Sequence, residues 1–370
     1  MIHIFIGTKA QYVKTAPVIQ ELDRRRINYN LIDSGQHADI SKNYREYFRI
    51  RQPECFLSAT KEDITTVGAL ILWFTKILVK IVFRPGDIFN TIFQRQRGIC
   101  LIHGDTPTTL LSALAAKRAG IKVAHLESGL RSYNIFHPFP EELIRIVTMH
   151  LSDYLFAPSQ WAYDNLDKMK VAGRKYLVSG NTNIDALAYA QSLDVPLCDE
   201  LNINEPFAVV SIHRAETILK RKRLNKIIDL VRLISQNHKV FFCLHPPTKK
   251  QLKKYRLDLP LKAMPGVIVR DLLPYPQFIQ AIKKSRFIVT DGGSVQEESY
   301  YLNVPCLLMR NRTERMEGVR ENVCISEFRD DKINHFLQNI DQFRVSTYRK
   351  THQSPSSEIV DILTEKTPPD

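Results

Sequence analysis

Short apolar runs alternate with amphipathic segments along most of the chain. The runs at 2–6 and 99–103 have the length of strands and end at turns, whereas 13–25 and 108–119 carry apolar residues at helical spacing. Strands that alternate with crossover helices are typical of a parallel sheet. We therefore predict an α/β protein, with further strands at 30–33, 122–126, 207–212, 240–244, 267–269 and 286–290.

The alternation breaks in a polar stretch near residues 181–205 and then restarts. This break predicts two domains, because each half is long enough to form its own core. We place the first domain at 1–180, joined by a C-terminal helix at about 356–370, and the second at 181–355.

Polar and glycine-containing clusters follow several of the predicted strands. In open α/β sheets, ligands bind in the crevice beyond the carboxyl ends of the strands. We therefore expect one site shared by two domains, formed by Lys9, Gln36-His37, Asp105, Glu127, His213-Arg214, His245 and Asp291–Ser294.

Composition narrows the classes of partner. The formal net charge is +13, which suits a polyphosphate ligand. The basic residues are dispersed without a nucleic-acid-binding module, so we predict no nucleic-acid partner. Six cysteines are scattered without a C-x-x-C pair, which predicts no metal site and a reducing cytoplasm. The start is a strand-like run and does not resemble a secretory signal.

The segment Gly292-Gly293-Ser294 joins a strand to a helix-like segment. Glycines there would let a phosphate approach the backbone, and the N-terminus of a helix would supply N–H groups. An ordinary strand-to-helix turn is the alternative. The sequence has neither G-x-G-x-x-G after its first strand nor G-x-x-x-x-G-K-[ST], so we predict no nicotinamide cofactor and no P-loop.

Three carboxylates are candidates for acid/base chemistry. Asp105, Glu127 and Glu141 each follow a short apolar or proline-containing segment, from which a loop could direct them into a cleft. Two carboxylates in a partly dry cleft can divide the tasks of removing and returning a proton. The alternative makes them helix-terminal residues, with Asp105 capping the helix near 108 and Glu141 in a first turn.

Two arginines are candidates for binding an anion. His213-Arg214 follows a strand and suits a phosphate or a leaving group. Arg315 could hold a diphosphate, or pair on the surface with Glu314 or Glu317.

Taken in order, the clusters resemble the motifs of the bacterial UDP-N-acetylglucosamine 2-epimerase family over nearly the whole chain. The matching blocks are Ile102–Thr106, His125–Arg131, Pro138–Glu142, Gly180–Ala186, His213–Glu216, Gln296–Glu298 and Thr313–Arg315.

The resemblance implies a GT-B fold, with two Rossmann-like domains and an active-site cleft between them. It also implies elimination of UDP to a 2-acetamidoglucal and re-addition on the opposite face, with no cofactor, in a homodimeric cytoplasmic enzyme of surface polysaccharide synthesis. The implied acid/base groups are Asp105, Glu127 and Glu141, with His213 beside the leaving diphosphate. The implied UDP-binding residues are Lys9, Lys14, Arg214, Gly292, Gly293, Ser294, Glu298 and Arg315.

Three motifs depart from the family pattern. The Gly-Thr-Arg-Pro-Glu opening reads Gly7–Gln11 here, so that Lys9 replaces an arginine. The Asp-Ser-Gly-Gly motif reads Asp291–Ser294, which moves the hydroxyl by two positions. The stretch linked to activation by a second UDP-sugar reads Gln36–Ile40. These changes suggest a divergent branch, which would act on UDP-GlcNAc, UDP-ManNAc or a related sugar.

The strongly apolar segment 67–83 has no such match. Lys76, Lys80 and Arg84 recur at four-residue spacing, so we do not expect this segment to cross a bilayer. It could lie at a membrane surface as a peripheral contact through 67–84. We favour a core or dimer-interface helix.

Two further activities stay open at the level of sequence. A hydrolysing 2-epimerase would release free sugar and UDP, and a GT-B glycosyltransferase would pass the sugar to an acceptor. A binding protein without turnover would follow only if Lys9 and the displaced serine had disabled the site.

Overall fold

The computed structural model divides the chain into two compact units. The first comprises Met1–Ala186 and Thr351–Asp370, and the second Leu187–Lys350. The structure describes residues 1–36, 38–58, 67–135, 139–193, 195–196, 205–344 and 353–366. The division after 186 lies six residues beyond the limit predicted from the polar stretch.

Within the described residues, the first unit has a seven-stranded parallel sheet. Its strand order is β3-β2-β1-β4-β5-β6-β7. The bounds are β1 (Ile2–Ile6), β2 (Tyr29–Asp33), β3 (Cys55–Phe56), β4 (Ile99–His103), β5 (Lys122–Leu126), β6 (Tyr154–Ala157) and β7 (Arg174–Leu177). Every residue of β1, β2 and β4 is buried, as expected for strands covered on both faces. The predictions of these three strands and of β5 are confirmed.

The helices of the first unit begin with α1, which starts four residues before the predicted position 13. A capping box between Thr8 and Gln11 explains the earlier start, and its Thr-x-x-Gln spacing is present in the sequence. The bounds are α1 (Lys9–Arg24), α2 (Ala38–Phe48), α3 (Val67–Phe83), α4 (Pro85–Thr91), α5 (Pro107–Arg118), α6 (Glu141–Leu151) and α7 (Gln160–Lys168). The next helix, α8 (Asn183–Ser192), begins in the first unit and ends in the second.

The second unit repeats the architecture, with six parallel strands in its described residues. Their order is β10-β9-β8-β11-β12-β13. The strands are β8 (Phe207–Ser211), β9 (Lys239–Leu244), β10 (Val267–Asp271), β11 (Phe287–Thr290), β12 (Cys306–Leu308) and β13 (Val323–Ile325). The helices are α9 (Ala215–Ile218), α10 (Arg221–Ile234), α11 (Pro246–Tyr255), α12 (Asp258–Lys262), α13 (Tyr275–Lys284), α14 (Gly293–Tyr301) and α15 (Asp330–Gln338), followed by a 3₁₀ turn at Ile340–Phe343.

The last helix, α16 (Pro355–Lys366), belongs to the first unit and packs against α1. Arg25 Nη2 donates to Ser357 Oγ at 2.7 Å, and Asp185 Oδ2 accepts from the backbone N–H of Ser356 at 2.9 Å. The first unit is therefore completed by a segment that follows the second unit in the chain.

Each sheet reverses its strand order at one point. In the first unit β1 lies beside both β2 and β4, and in the second β8 lies beside both β9 and β11. Helices leave such neighbouring strands in opposite directions, which opens a crevice at the carboxyl edge. The predicted polar clusters follow β1, β2, β4 and β5 in one unit and β8, β9 and β11 in the other, and so include the strands on both sides of each reversal.

Helix α3 has one buried face and one exposed face. Trp73, Ile77 and Ile81 are buried in the core of the first unit. The opposite face exposes a group of large apolar side chains, namely Ile71, Leu72, Val79, Val82 and Phe83. Of the helices in the described ranges, none is long and apolar enough to cross a membrane.

Candidate active site

The loops after β1 and β4 are fixed to each other by Gln11. Its side-chain Nε2 donates to the carbonyl of His103 at 3.1 Å and to Thr109 Oγ1 at 3.1 Å. Thr106, and not Asp105, caps α5, since its hydroxyl accepts from the backbone N–H of Thr109. The capping interpretation of Asp105 is therefore wrong, and its carboxylate is available for other contacts.

Glu127 follows β5 and is held by buried cationic and amide groups. Its backbone φ of +59° lies in the left-handed region, which non-glycine residues rarely adopt outside sites that require it. Its Oε1 accepts from Lys14 Nζ and from Asn181 Nδ2, and its Oε2 lies 3.3 Å from His103 Nε2. The Lys14 side chain is only 2% exposed, so this ion pair is largely removed from water.

Asp105 is paired with a second buried cation. Its Oδ2 accepts from Arg145 Nη2, and 28% of its side chain is exposed, against 5% for Arg145. Glu141 is the first residue of α6, one helical turn before Arg145, so both residues lie on one face of that helix. All three predicted carboxylates thus lie in the first unit, two of them with an identified cationic partner.

His125 connects the two carboxylate-bearing loops. Its Nε2 donates to the carbonyl of Gly104 at 2.7 Å, and its Nδ1 lies 2.9 Å from Ser128 Oγ. Burial lowers the pKa of His125 to about 4, so the ring is neutral at pH 7. The neutral His125 ring, which lies in β5, bonds the carbonyl of Gly104. It therefore fixes the loop that carries Asp105 relative to the loop that carries Glu127.

Lys9 is the first residue of α1, and its ammonium lies 5.9 Å from the centroid of the Tyr44 ring. Predictions that concern His37 and Pro138 lie outside the described residues. The family resemblance assigns Lys14 to the diphosphate, but in this structure its ammonium donates to the Glu127 carboxylate.

In the second unit, Asp291 fixes the loop that carries His213 and Arg214. Its buried carboxylate accepts the backbone N–H of His213 at 2.9 Å and that of Arg214 at 3.0 Å. The His213 ring stacks on His245 with centroids 4.4 Å apart, and His245 Nε2 lies 3.0 Å from Ser211 Oγ. His213 is thereby held at the carboxyl edge beside the start of α14.

The two glycines at the start of α14 are required by close neighbours. A Cβ on Gly292 would lie 2.8 Å from His213 Cε1, and one on Gly293 would lie 3.0 Å from Arg315 Nε. Gly292 is the N-cap, Ser294 lies in the first turn, and within the described chain no side-chain hydrogen bond caps this helix. The N-terminus of α14 is therefore suited to an anion, with His213 and Arg315 against it.

Arginines and carboxylates alternate along this edge. Arg315 donates from Nη1 to Glu297 Oε2 at 2.9 Å and is buried, so it does not lie on the surface, as the alternative to a diphosphate contact required. Arg310 Nη1 lies 2.9 Å from Glu314 Oε2, and burial lowers the pKa of Arg310.

Arg214 lies at the same edge, with Nη1 3.6 Å from Glu216 Oε1. Glu298, assigned by resemblance to the ribose, is buried in α14.

Sequence reasoning missed the side chains that support these groups. Arg145 follows Glu141 by four residues in a predicted helix, and that spacing could have identified it. Arg310 comes two residues after β12, at the same kind of strand end as the predicted clusters. No pattern in the sequence indicates that Lys14 contacts Glu127, because 113 positions separate the two residues.

Two parallel sheets with the doubly wound strand order, and charged loops at both switch points, define a GT-B-type protein. The chain belongs to the UDP-N-acetylglucosamine 2-epimerase family, whose model matches residues 20–358. It is therefore an enzyme of the isomerase type.

Two similar proteins and one crystal structure support this assignment. The chain is 32% identical to a UDP-N-acetylglucosamine 2-epimerase of Methanocaldococcus jannaschii, over 85% of each chain. It is 30% identical to a UDP-2,3-diacetamido-2,3-dideoxy-D-glucuronate 2-epimerase of Pseudomonas aeruginosa, over 88% of each chain. A crystal structure of the M. jannaschii UDP-GlcNAc 2-epimerase, in complex with UDP-GlcNAc and UDP, matches with a TM-score of 0.84 at 28% identity, over 98% of this chain and 99% of that one.

Proposed function

We propose that this enzyme interconverts UDP-GlcNAc and UDP-ManNAc, or a pair of related 2-acetamido sugars. The observation that carries the proposal is the placement of Asp105 and Glu127 at neighbouring strand ends, each beside a buried cation. The names of the two relatives share a UDP-linked, 2-acetamido-type sugar and inversion at carbon 2.

The proposed reaction has two halves. A carboxylate removes the proton at carbon 2, the bond from carbon 1 to the UDP oxygen breaks, and a 2-acetamidoglucal forms. UDP then adds back to carbon 1 while a proton is delivered to carbon 2 on the opposite face. Asp105, Glu127 and Glu141 are the candidates for these proton transfers, and elimination with re-addition requires no redox cofactor.

The charged edge of the second unit is suited to the UDP part of the substrate. We assign the diphosphate to the N-terminus of α14, with Gly293, Ser294 and Arg315, and place His213 beside the leaving oxygen. Stabilising the charge that develops on UDP lowers the barrier to carbon–oxygen cleavage. Arg214 and Lys9 are further candidates for phosphate contact, and Glu298 for the ribose hydroxyls.

We also propose that the enzyme is a homodimer of the cytoplasm that supplies surface polysaccharide synthesis. The exposed apolar face of α3 is the surface that we expect the second copy to cover, because it places several large apolar side chains in contact with water.

The reaction is tested by incubating the protein with UDP-GlcNAc in deuterated water and following proton NMR. We expect deuterium at carbon 2 and the appearance of a second UDP-sugar. Free UDP with free sugar would show hydrolysis instead, and a transferase would give neither product without an acceptor.

The role of Asp105 is tested with Asp105→Asn in the same assay. We expect deuterium exchange to be abolished and the affinity for UDP to be retained, because the diphosphate is assigned to the other unit. Exchange at the wild-type rate would remove Asp105 from the mechanism.

A further inference from the structure

Glu142 is a buried carboxylate to which the proposed chemistry gives no role. It is the second residue of α6, and its side chain is 0% exposed. Its Oε1 accepts from Arg131 Nε at 2.6 Å, while its Oε2 accepts from the backbone N–H of Ser132 at 3.0 Å and from Arg145 Nη1 at 2.7 Å. One carboxylate therefore bonds two guanidinium groups and a loop backbone.

Arg145 stands between Glu142 and Asp105. It donates from Nη1 to the former and from Nη2 to the latter. Because the guanidinium is planar, fixing the direction of Nη1 also fixes that of Nη2. The charges alternate from Asp105 through Arg145 and Glu142 to Arg131, whose guanidinium lies 5.0 Å from the centroid of the Tyr133 ring.

We propose that Glu142 is a positioning residue, which holds Arg145 so that its Nη2 remains on Asp105. This inference rests on the proposed function, in which Asp105 transfers a proton at carbon 2. Without the Glu142 charge, the Arg145 guanidinium loses the bond that sets its plane. Its bond to Asp105 can then persist while the group rotates out of that plane.

The bond between Glu142 and Arg145 does more than attach a loop. The contacts with Arg131 and Ser132 already join the 131–132 loop to α6, whereas Arg145 is on the same helix as Glu142, three residues later. This third bond therefore adds nothing to the link between loop and helix. What it sets is the direction of the Arg145 side chain.

The first test is Glu142→Gln, an isosteric change that removes the charge. We expect kcat for epimerisation to fall by roughly 10²-fold, as a displacement of about 1 Å at a reacting group can cause, with KM and the affinity for UDP unchanged. Adding Glu142→Gln to an Arg145→Met variant should reduce kcat no further, because the effect passes through Arg145. A full and independent loss in that background would overturn the proposal.

The matched control is Asp153→Asn. Asp153 also joins a cation to a backbone N–H, with Lys117 Nζ at 3.0 Å and Val123 N at 2.8 Å, but at the amino end of β5. We expect it to lower stability and leave kcat unchanged. An equal loss of kcat in both variants would show that Glu142 has only a structural role.

A second readout is independent of turnover. This readout is ¹⁵N NMR of the arginine side chains, in which the Arg145 signals are identified by their loss in Arg145→Lys. In the wild type, slow rotation of the held guanidinium should give separate signals for Nη1 and Nη2 of Arg145. In Glu142→Gln, faster rotation should average them. Unchanged signals would overturn the proposal, even if the wild type failed the deuterium test and the proposed function fell. If Glu142→Gln does not fold, the Arg145→Lys variant by itself must show the loss of kcat, because an ammonium cannot hold Glu142 and Asp105 in one plane.

Discussion

At the scale of single residues, the site is built by buried groups that hold the reactive ones. Glu127 is kept in a left-handed backbone conformation with Lys14 and Asn181 on one carboxylate oxygen. An ion pair that is this buried contributes little net stability, but its disruption leaves an uncompensated charge away from water. Activity and stability are therefore coupled at this position.

Lys14→Met tests this coupling. We expect the free energy of unfolding to fall by about 3–5 kcal/mol, since Glu127 loses its buried cation, and kcat to fall with it. Urea unfolding and the deuterium-exchange assay measure the two effects. As a control, Lys117→Met breaks the partly exposed pair with Asp153 and should cost about 1 kcal/mol or less. Similar losses in both variants would contradict the special role of Lys14.

At the scale of helices and strands, the sequence predicted most of what the structure contains. Apolar runs located the inner strands, because a strand buried on both faces must be apolar throughout. The capping box at Thr8 and Gln11 set the start of α1, and the apolar spacing alone placed that start too late. The ion pairs of Lys14 with Glu127 and of Arg145 with Asp105 could not be predicted, since the fold brings together residues that are distant in the chain.

The outward face of α3 is tested by Leu72→Glu combined with Phe83→Glu. These side chains are 72% and 77% exposed, so the substitutions should leave the fold intact while removing the apolar contact with a second copy. We expect a dimer in the wild type and a monomer in the variant by light scattering. Leu259→Glu, at a 73% exposed position of α12, is the control and should stay dimeric. A monomeric wild type that binds anionic vesicles would favour the membrane-surface interpretation.

At the scale of the whole molecule, stability depends on two buried histidines of the first unit. Burial lowers the pKa of His125 to about 4 and that of His3 to about 4, from 6.5 in both cases. The unfolded chain therefore binds these protons below pH 6.5, whereas the folded chain excludes them until about pH 4. Their contribution is complete above pH 6.5 and is lost as the pH falls.

We expect the free energy of unfolding to decrease between pH 6.5 and 4 by up to roughly 3 kcal/mol for each histidine. Urea unfolding at a series of pH values measures the slope. His125→Gln should make the slope shallower, because one of the two proton-excluding sites is gone. A stability that stayed constant over this range would contradict the assignment.

Helix α16 also sets the order in which the molecule can mature during translation. Since the ribosome makes the second unit before α16, that unit can form its sheet while the surface of α1 that α16 covers is still exposed. The first unit thus remains unfinished through the synthesis of more than 150 further residues. A nascent chain stalled before residue 355 should accordingly be cut by protease within the first unit and resist it within the second.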